Sequence, residues 1–102
     1  MTRKFWTIID ITEVFHVDEQ FIIDLEEEEI ICATCQEGVR EKRYSPEEVE
    51  KLRLAKILVE EMDVNLPGVD IILRMRRDML EMRKQFDAIL KDVADKIKNE
   101  LQ

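Results

Sequence analysis

The 102-residue sequence has few residues that interrupt helices and few that build covalent or metal-bound frameworks. It contains two glycines, two prolines, two cysteines and one histidine. Two cysteines are too few for a disulfide framework, so a reducing compartment is expected. Because 39% of the residues are charged and 45% are hydrophobic, the shortage of Gly and Pro predicts a mainly α-helical chain with one small core.

Long uncharged segments are also missing from the sequence. No apolar run follows a basic stretch near the N-terminus. No segment approaches the roughly 20 apolar residues that a membrane span requires. We therefore expect a cytoplasmic protein that does not enter a membrane.

Residues suited to catalysis or metal binding are scarce. His16 is the only histidine, and no Ser or Cys stands where a base and an orienting acid can be argued. Cys32, Cys35 and His16 could supply three of the four ligands that structural zinc prefers. However, two residues three apart on a strand point to opposite faces. We therefore predict no catalytic residue, no metal site and no cofactor, and we expect that the protein is not an enzyme.

Negative charge is concentrated at the N-terminal end of the chain. The formal net charge is −8. Residues 1–31 contain nine acidic residues against Arg3 and Lys4, and nine negative minus two positive charges leaves −7 for this segment. A surface of this sign repels the phosphate backbone of nucleic acids unless cations are gathered on one face.

The first part of the chain predicts short elements. Residues 5–9 are β-prone and predict a strand or an extended arm. Thr12 resembles the N-cap of a short helix that ends at His16. Asp18 resembles the N-cap of a second helix, which we expect to fray in the acidic run at residues 26–29 because like charges there repel.

A β-hairpin, called the wing below, is predicted next. Residues 30–35 are β-prone, residues 36–38 carry a turn signal, and Tyr44 closes a second, more polar segment. We interpret Cys32 and Cys35 as small residues of this wing.

The clearest helix start follows the wing. Ser45 suits the N-cap, Pro46 suits the first helical position, and Glu48 is placed to complete a capping box. Residues 63–65 interrupt this helix, and Pro67 suits the first turn of the last one.

The last helix carries a regular apolar seam. Its spacing alternates between three and four residues, which is typical of a coiled coil. The seam consists of Ile72, Met75, Met79, Met82, Phe86, Ile89 and Val93. A lone helix would leave this seam in water, so we predict a homodimer formed through it. The chain therefore divides into a head at residues 1–65 and a dimerisation helix at residues 66–102.

Two segments of the chain resemble the MerR-like winged helix-turn-helix group. Residues 43–53, RYSPEEVEKLR, resemble its wing exit and third helix, and residues 64–73, VNLPGVDIIL, resemble a turn found in two of its branches. One branch is the heat-shock repressor HspR, which binds DNA. The other is the chaperone modulator CbpM, which binds the J-domain of a DnaJ-like co-chaperone and restrains it. The resemblance implies a mainly α fold with a MerR-like winged helix-turn-helix head, a short β-hairpin wing and a long C-terminal coiled-coil helix.

The charge of the second helix favours the CbpM branch. DNA-binding members place this helix in the major groove and grip phosphate with the wing, which requires Lys and Arg. The matching segment here has neither, and its acidic residues suit the basic surface that the resemblance implies for a J-domain. The predicted partner-binding residues are Asp18, Glu19, Asp24, Glu26, Glu27, Glu28 and Glu29. The alternative is a MerR- or HspR-type DNA-binding transcriptional regulator, although the acidic helix argues against nucleic acid.

Overall fold

The computed structural model of the protein describes residues 4–34 and 41–101. Within these ranges the chain forms four α-helices, named α1 (Ile8–Phe15), α2 (Glu19–Glu27), α3 (Pro46–Met62) and α4 (Leu66–Glu100). The chain divides into two compact units, Met1–Ile71 and Ile72–Gln102. The prediction of a mainly helical fold with a long C-terminal helix is confirmed.

Helix α1 begins earlier than the sequence predicted. Thr7 is its N-cap, and Thr7 Oγ1 accepts a hydrogen bond from the Asp10 amide at 3.2 Å. Asp10 Oδ2 accepts one in return from the Thr7 amide at 3.1 Å, which completes a capping box. The prediction of an N-cap at Thr12 was wrong, because Thr12 lies within the helix and its hydroxyl donates to the Ile9 carbonyl at 2.9 Å. The reciprocal cap outweighs the β-prone character of the preceding aromatic residues.

Helix α2 begins after Asp18, as predicted, and ends within the acidic run. Ile22 and Leu25 form its buried face. Glu29 has a left-handed backbone with φ 58°, and the turn there brings the Ile30 amide to the Leu25 carbonyl at 2.9 Å. The chain therefore leaves α2 through a tight turn that places Ile30 in the core and leaves Glu27, Glu28 and Glu29 exposed.

The described residues contain no β-strand, and the wing is represented only by isolated bridges. One antiparallel bridge joins Thr34 to Arg43, and another joins Trp6 to Tyr44. Trp6 and Tyr44 exchange two backbone hydrogen bonds of 2.8 Å, so the predicted N-terminal arm pairs with the segment before α3. The predicted turn at residues 36–38 and Cys35 lie outside the described residues. A β-hairpin wing is thus not observed.

Helix α3 begins at Pro46, as predicted. Ser45 Oγ accepts a hydrogen bond from the Glu48 amide at 3.4 Å. The Glu48 carboxylate does not return this bond, because it accepts instead from the Cys32 amide and from Lys51, both at 3.1 Å. Half of the predicted capping box is therefore formed, and the other half is replaced by a contact that holds the segment after α2 against α3.

One hydrophobic core lies within the first unit. All four helices contribute to it, together with the segments that follow α2 and precede α3. Its buried residues are Ile11, Val17, Ile22, Leu25, Ile30, Ile31, Tyr44, Val49, Leu52, Ala55 and Val69. Because Val69 is 0% exposed, the first turn of α4 belongs to this unit.

The turn between α3 and α4 is set by polar capping. Asp63 ends α3 with φ 54°. Asn65 Oδ1 accepts a hydrogen bond from the Gly68 amide at 2.8 Å, and Pro67 lies in the first turn of α4 as predicted. A Cβ atom on Gly68 would lie 2.8 Å from Val64 Cγ1, so a larger residue there would force the Val64 side chain or the turn to shift. Among the helices described, none is both long and apolar enough to cross a membrane.

Candidate partner-binding site

The seven predicted partner-binding residues differ in exposure. Those at or just beyond the ends of α2 are exposed, whereas two within the helix are half-buried. The exposed residues are Asp18, Glu19, Glu27, Glu28 and Glu29, and the half-buried ones are Asp24 and Glu26. Since α2 contains no lysine or arginine, its exposed face presents carboxylates without a cation of its own.

Glu26 is bound inside the head rather than presented to solvent. One of its carboxylate oxygens accepts a hydrogen bond from Lys42 Nζ at 3.0 Å, and the other accepts one from the Tyr44 hydroxyl. Tyr44 is 1% exposed, and the Glu26 side chain is 20% exposed. The structure therefore assigns Glu26 a stabilising role that joins α2 to the segment preceding α3.

Asp24 keeps a partially exposed carboxylate. Its Oδ1 atom accepts a hydrogen bond of 2.9 Å from Gln20 Nε2, one turn earlier on the same helix. This contact orients the Asp24 carboxylate without neutralising its charge. Asp24 thus remains available to a cationic partner in a way that Glu26 does not.

A surface groove lies between the turn joining α1 to α2 and helix α3. We call it the His16 groove, and it is lined by His16, Val17, Asp18, Phe21, Val59 and Glu60. Asp18 occupies the N-cap position of α2, but its side chain makes no capping hydrogen bond. The groove thus combines an apolar surface with two carboxylates that come from distant parts of the sequence.

The cations beside the groove are bound within the head. A neighbouring depression shares His16 and Glu60 and is also lined by Arg53, Lys56 and Glu61. Arg53 makes hydrogen bonds of 2.7 and 3.0 Å to Glu50, and these bonds, followed by the charge of Glu50, raise the pKa of the guanidinium.

Lys56 donates its hydrogen bond to the Phe15 carbonyl at the end of α1. A cation at this position also complements the negative end of the α1 dipole. Within residues 4–34 and 41–101, no ion pair reaches the carboxylates of Asp18, Glu60 or Glu61. None of these three carboxylates is therefore held in an ion pair by the described part of the chain.

The described residues offer no arrangement of three or more His, Cys, Asp or Glu side chains for a metal ion. Cys32 is an exposed free thiol, and its backbone amide is bound by Glu48. Cys35, the second predicted zinc candidate, lies outside the described residues. His16 is exposed and lines the groove.

The predicted dimer seam lies in the second unit and is exposed throughout. Exposed fractions range from 38% at Ile72 to 67% at Met79 and Met82. The remaining members, Met75, Phe86, Ile89 and Val93, have values of 60%, 60%, 59% and 49%. An exposed apolar depression at the start of this unit is lined by Ile72, Met75 and Met79 together with Arg76 and Leu80.

Residues 6–91 match the family described as MerR HTH family regulatory protein. The chain belongs to this MerR helix-turn-helix family. The match extends from the arm before α1 through most of α4, so it covers most of the first unit and part of the second. No curated protein matches the chain.

Family membership confirms the MerR-like resemblance. It also identifies α2, whose first residues border the His16 groove, as the second helix of the helix-turn-helix unit. In a helix-turn-helix unit, the second helix is the one that DNA-binding members place in the major groove. In this MerR-family chain, α2 presents Glu19 and Glu27 on its exposed side, while Asp18 precedes it at the groove.

The contribution of α3 to this site was not predicted from the sequence. Glu60 and Glu61 are neighbouring acidic residues near the end of α3, but nothing local in the sequence relates them to Asp18. Helical periodicity would not have separated Glu60 from the core either, because at about 3.6 residues per turn it falls on nearly the same side of α3 as the buried Val49.

Proposed function

We propose that this MerR-family protein is a non-enzymatic, cytoplasmic modulator that binds the J-domain of a DnaJ-like co-chaperone and inhibits it. The observation that carries the proposal is the exposed face of α2, which presents carboxylates and no lysine or arginine. The segment at residues 64–73, which resembles a turn found in the CbpM branch as well as in the HspR branch, is compatible with this choice of partner. This function needs no metal or cofactor.

The physical basis of the proposal is charge complementarity. A J-domain with a basic helix would be attracted to the acidic head, and this attraction would raise the association rate and fix the orientation of the complex. The proposed contact residues are the exposed Asp18 and Glu19, the half-buried Asp24 and the exposed run at residues 27–29. Glu26 is left out of this surface because it is bound to Lys42 and Tyr44.

A MerR- or HspR-type DNA-binding regulator is the second candidate, and the family match supports it no better than it supports the modulator. The distribution of charge opposes it. A DNA-reading α2 would bring Glu19 and Glu27 towards phosphate, where repulsion is strong at low and moderate salt. The ion pair between Lys42 and Glu26 also reduces the positive charge available beside the wing.

We further propose that the protein acts as a homodimer joined through α4. The seam from Ile72 to Val93 is exposed in the single chain, and its spacing suits a coiled coil. A second copy would remove these apolar side chains from water.

We also propose that residues 30–44 form the short β-hairpin wing, and the bridge between Thr34 and Arg43 supports this pairing.

The proposed function is tested by titrating the purified protein against the J-domain of a DnaJ-like protein at low and high salt. Saturable binding that weakens as salt rises, together with inhibition of J-domain-stimulated ATP hydrolysis by a DnaK-type chaperone, is expected. A duplex DNA of mixed sequence serves as the control. Tight DNA binding without J-domain binding would reject the modulator function and favour the regulator.

A further inference from the structure

The His16 groove has the composition of a site for a long cationic side chain. Val17 is 8% exposed and Phe21 and Val59 are half-buried, so the groove offers an apolar surface. Asp18 and Glu60 border that surface with two carboxylates. Arginine and lysine side chains combine an aliphatic stem with a charged end, and they commonly place the stem on apolar surface and the charge beside an acid.

Both carboxylates are available for such a contact. Asp18 stands at the N-cap of α2, yet its side chain makes no hydrogen bond to the helix amides. In the described ranges, neither Asp18 nor Glu60 takes part in an ion pair. The nearby cations are engaged elsewhere, since Arg53 binds Glu50 and Lys56 binds the Phe15 carbonyl.

We propose that the His16 groove is the docking site for an arginine or lysine side chain on a basic helix of the partner protein. The stem lies on Phe21 and Val59, and the charged end lies between the carboxylates of Asp18 and Glu60. The identity of that partner as a J-domain rests on the proposed function, whereas the chemistry of the occupant rests on the groove. This site lies at the beginning of α2, away from the acidic run at residues 27–29.

The first test compares two double variants that remove the same charge. Asp18→Asn with Glu60→Gln alters the groove, while Glu41→Gln with Glu47→Gln alters exposed acids of the same head outside the groove lining. Affinity for the J-domain is measured by calorimetry at one salt concentration. We expect the groove variant to bind about tenfold more weakly and the control variant to stay within about twofold, because specific interfacial ion pairs contribute more than general charge.

A second test does not depend on the J-domain. The probe is a helical peptide of leucine, lysine and arginine, added to the ¹⁵N-labelled protein while amide chemical shifts are recorded. We expect the largest shift changes at residues 16–21 and 59–60, with saturation, and their loss in the groove variant. If these changes occur but the J-domain does not bind, the groove proposal stands and the proposed function fails.

Several outcomes would overturn the groove proposal while leaving the proposed function intact. One is a J-domain affinity that falls equally in both double variants, since general charge would then explain binding. Another is a groove variant that keeps its J-domain affinity, or peptide-induced shifts that map away from residues 16–21 and 59–60. Groove amide shifts that change with protein concentration alone would assign the groove to a second copy of this chain.

Discussion

The carboxylate of Glu26 on α2 accepts the hydroxyl hydrogen bond of the buried Tyr44, which stands just before α3. The two residues are 18 positions apart in the sequence. This hydrogen bond joins the helix-turn-helix unit to the segment that leads into the next helix. It also explains why one member of an acidic run is half-buried while its neighbours are exposed.

Replacing Glu26 with alanine should destabilise the head. The Tyr44 hydroxyl would lose its acceptor, and leaving a buried polar group unpaired costs about 1–3 kcal/mol. Urea unfolding followed by circular dichroism measures the change. Glu27→Ala is the matched control, because Glu27 is exposed and such substitutions usually change stability by less than about 0.5 kcal/mol. Equal effects of the two variants would contradict the assigned role of Glu26.

Thr7, the N-cap of α1, and Thr12, inside that helix, should respond in opposite ways to substitution by alanine. Thr7→Ala removes a capping residue and should cost about 0.5–2 kcal/mol of unfolding free energy. Thr12 lies inside the helix, where alanine has the better helix propensity. Thr12→Ala should therefore leave the unfolding free energy unchanged or raise it by about 0.5 kcal/mol. Thermal unfolding distinguishes them, and the reverse order would mean that the helix begins at Thr12.

Gly68→Ala should destabilise the protein although alanine favours helices. The new Cβ would lie 2.8 Å from Val64 Cγ1 and 3.0 Å from Asn65 Oδ1, and overpacking of this kind costs about 1–3 kcal/mol. Adding Val64→Ala removes the nearer of the two atoms. The loss of unfolding free energy in the double variant should therefore be smaller than the sum of the losses in Gly68→Ala and Val64→Ala measured separately. Gly68→Ala with a raised melting temperature would show that the turn can adjust.

Met82→Lys should weaken the proposed dimer. A charge in an apolar coiled-coil seam must be desolvated without a partner, so the dissociation constant should rise by at least about tenfold. Ala88→Lys introduces the same group at an exposed position outside the seam and should leave association unchanged. Sedimentation equilibrium measures both variants. A monomeric wild-type chain would reject pairing through α4.

The sequence predicted those features that depend on neighbouring residues. The start of α3 followed from Ser45 and Pro46, and the entry to α4 followed from Pro67, since capping and proline geometry act over a few positions. Thr7 was missed because the adjacent aromatic residues favour a strand, whereas the reciprocal bond to Asp10 favours a helix. Local preferences of opposite sign cannot be ranked without the tertiary structure.

The features that define the candidate site could be predicted only in part. The acidic character of α2 was evident from composition. The separation of Glu26 from the exposed acids was not, because its partners Lys42 and Tyr44 lie far away in the sequence. The groove was also hidden, since Asp18 and Glu60 meet only after α3 packs beside the turn between α1 and α2.

In the described part of the head, three turns use left-handed residues that are not glycine. His16, Glu29 and Asp63 have φ values of 54°, 58° and 54°. For a residue with a Cβ atom, this region costs roughly 1–2 kcal/mol, which is a sizeable part of the stability of a small domain. The three turns are therefore positions at which a substitution can raise the unfolding free energy of the head. Glu29→Gly would remove the backbone strain at this position and the charge repulsion between Glu29 and the neighbouring glutamates. This substitution should therefore raise the melting temperature of the head.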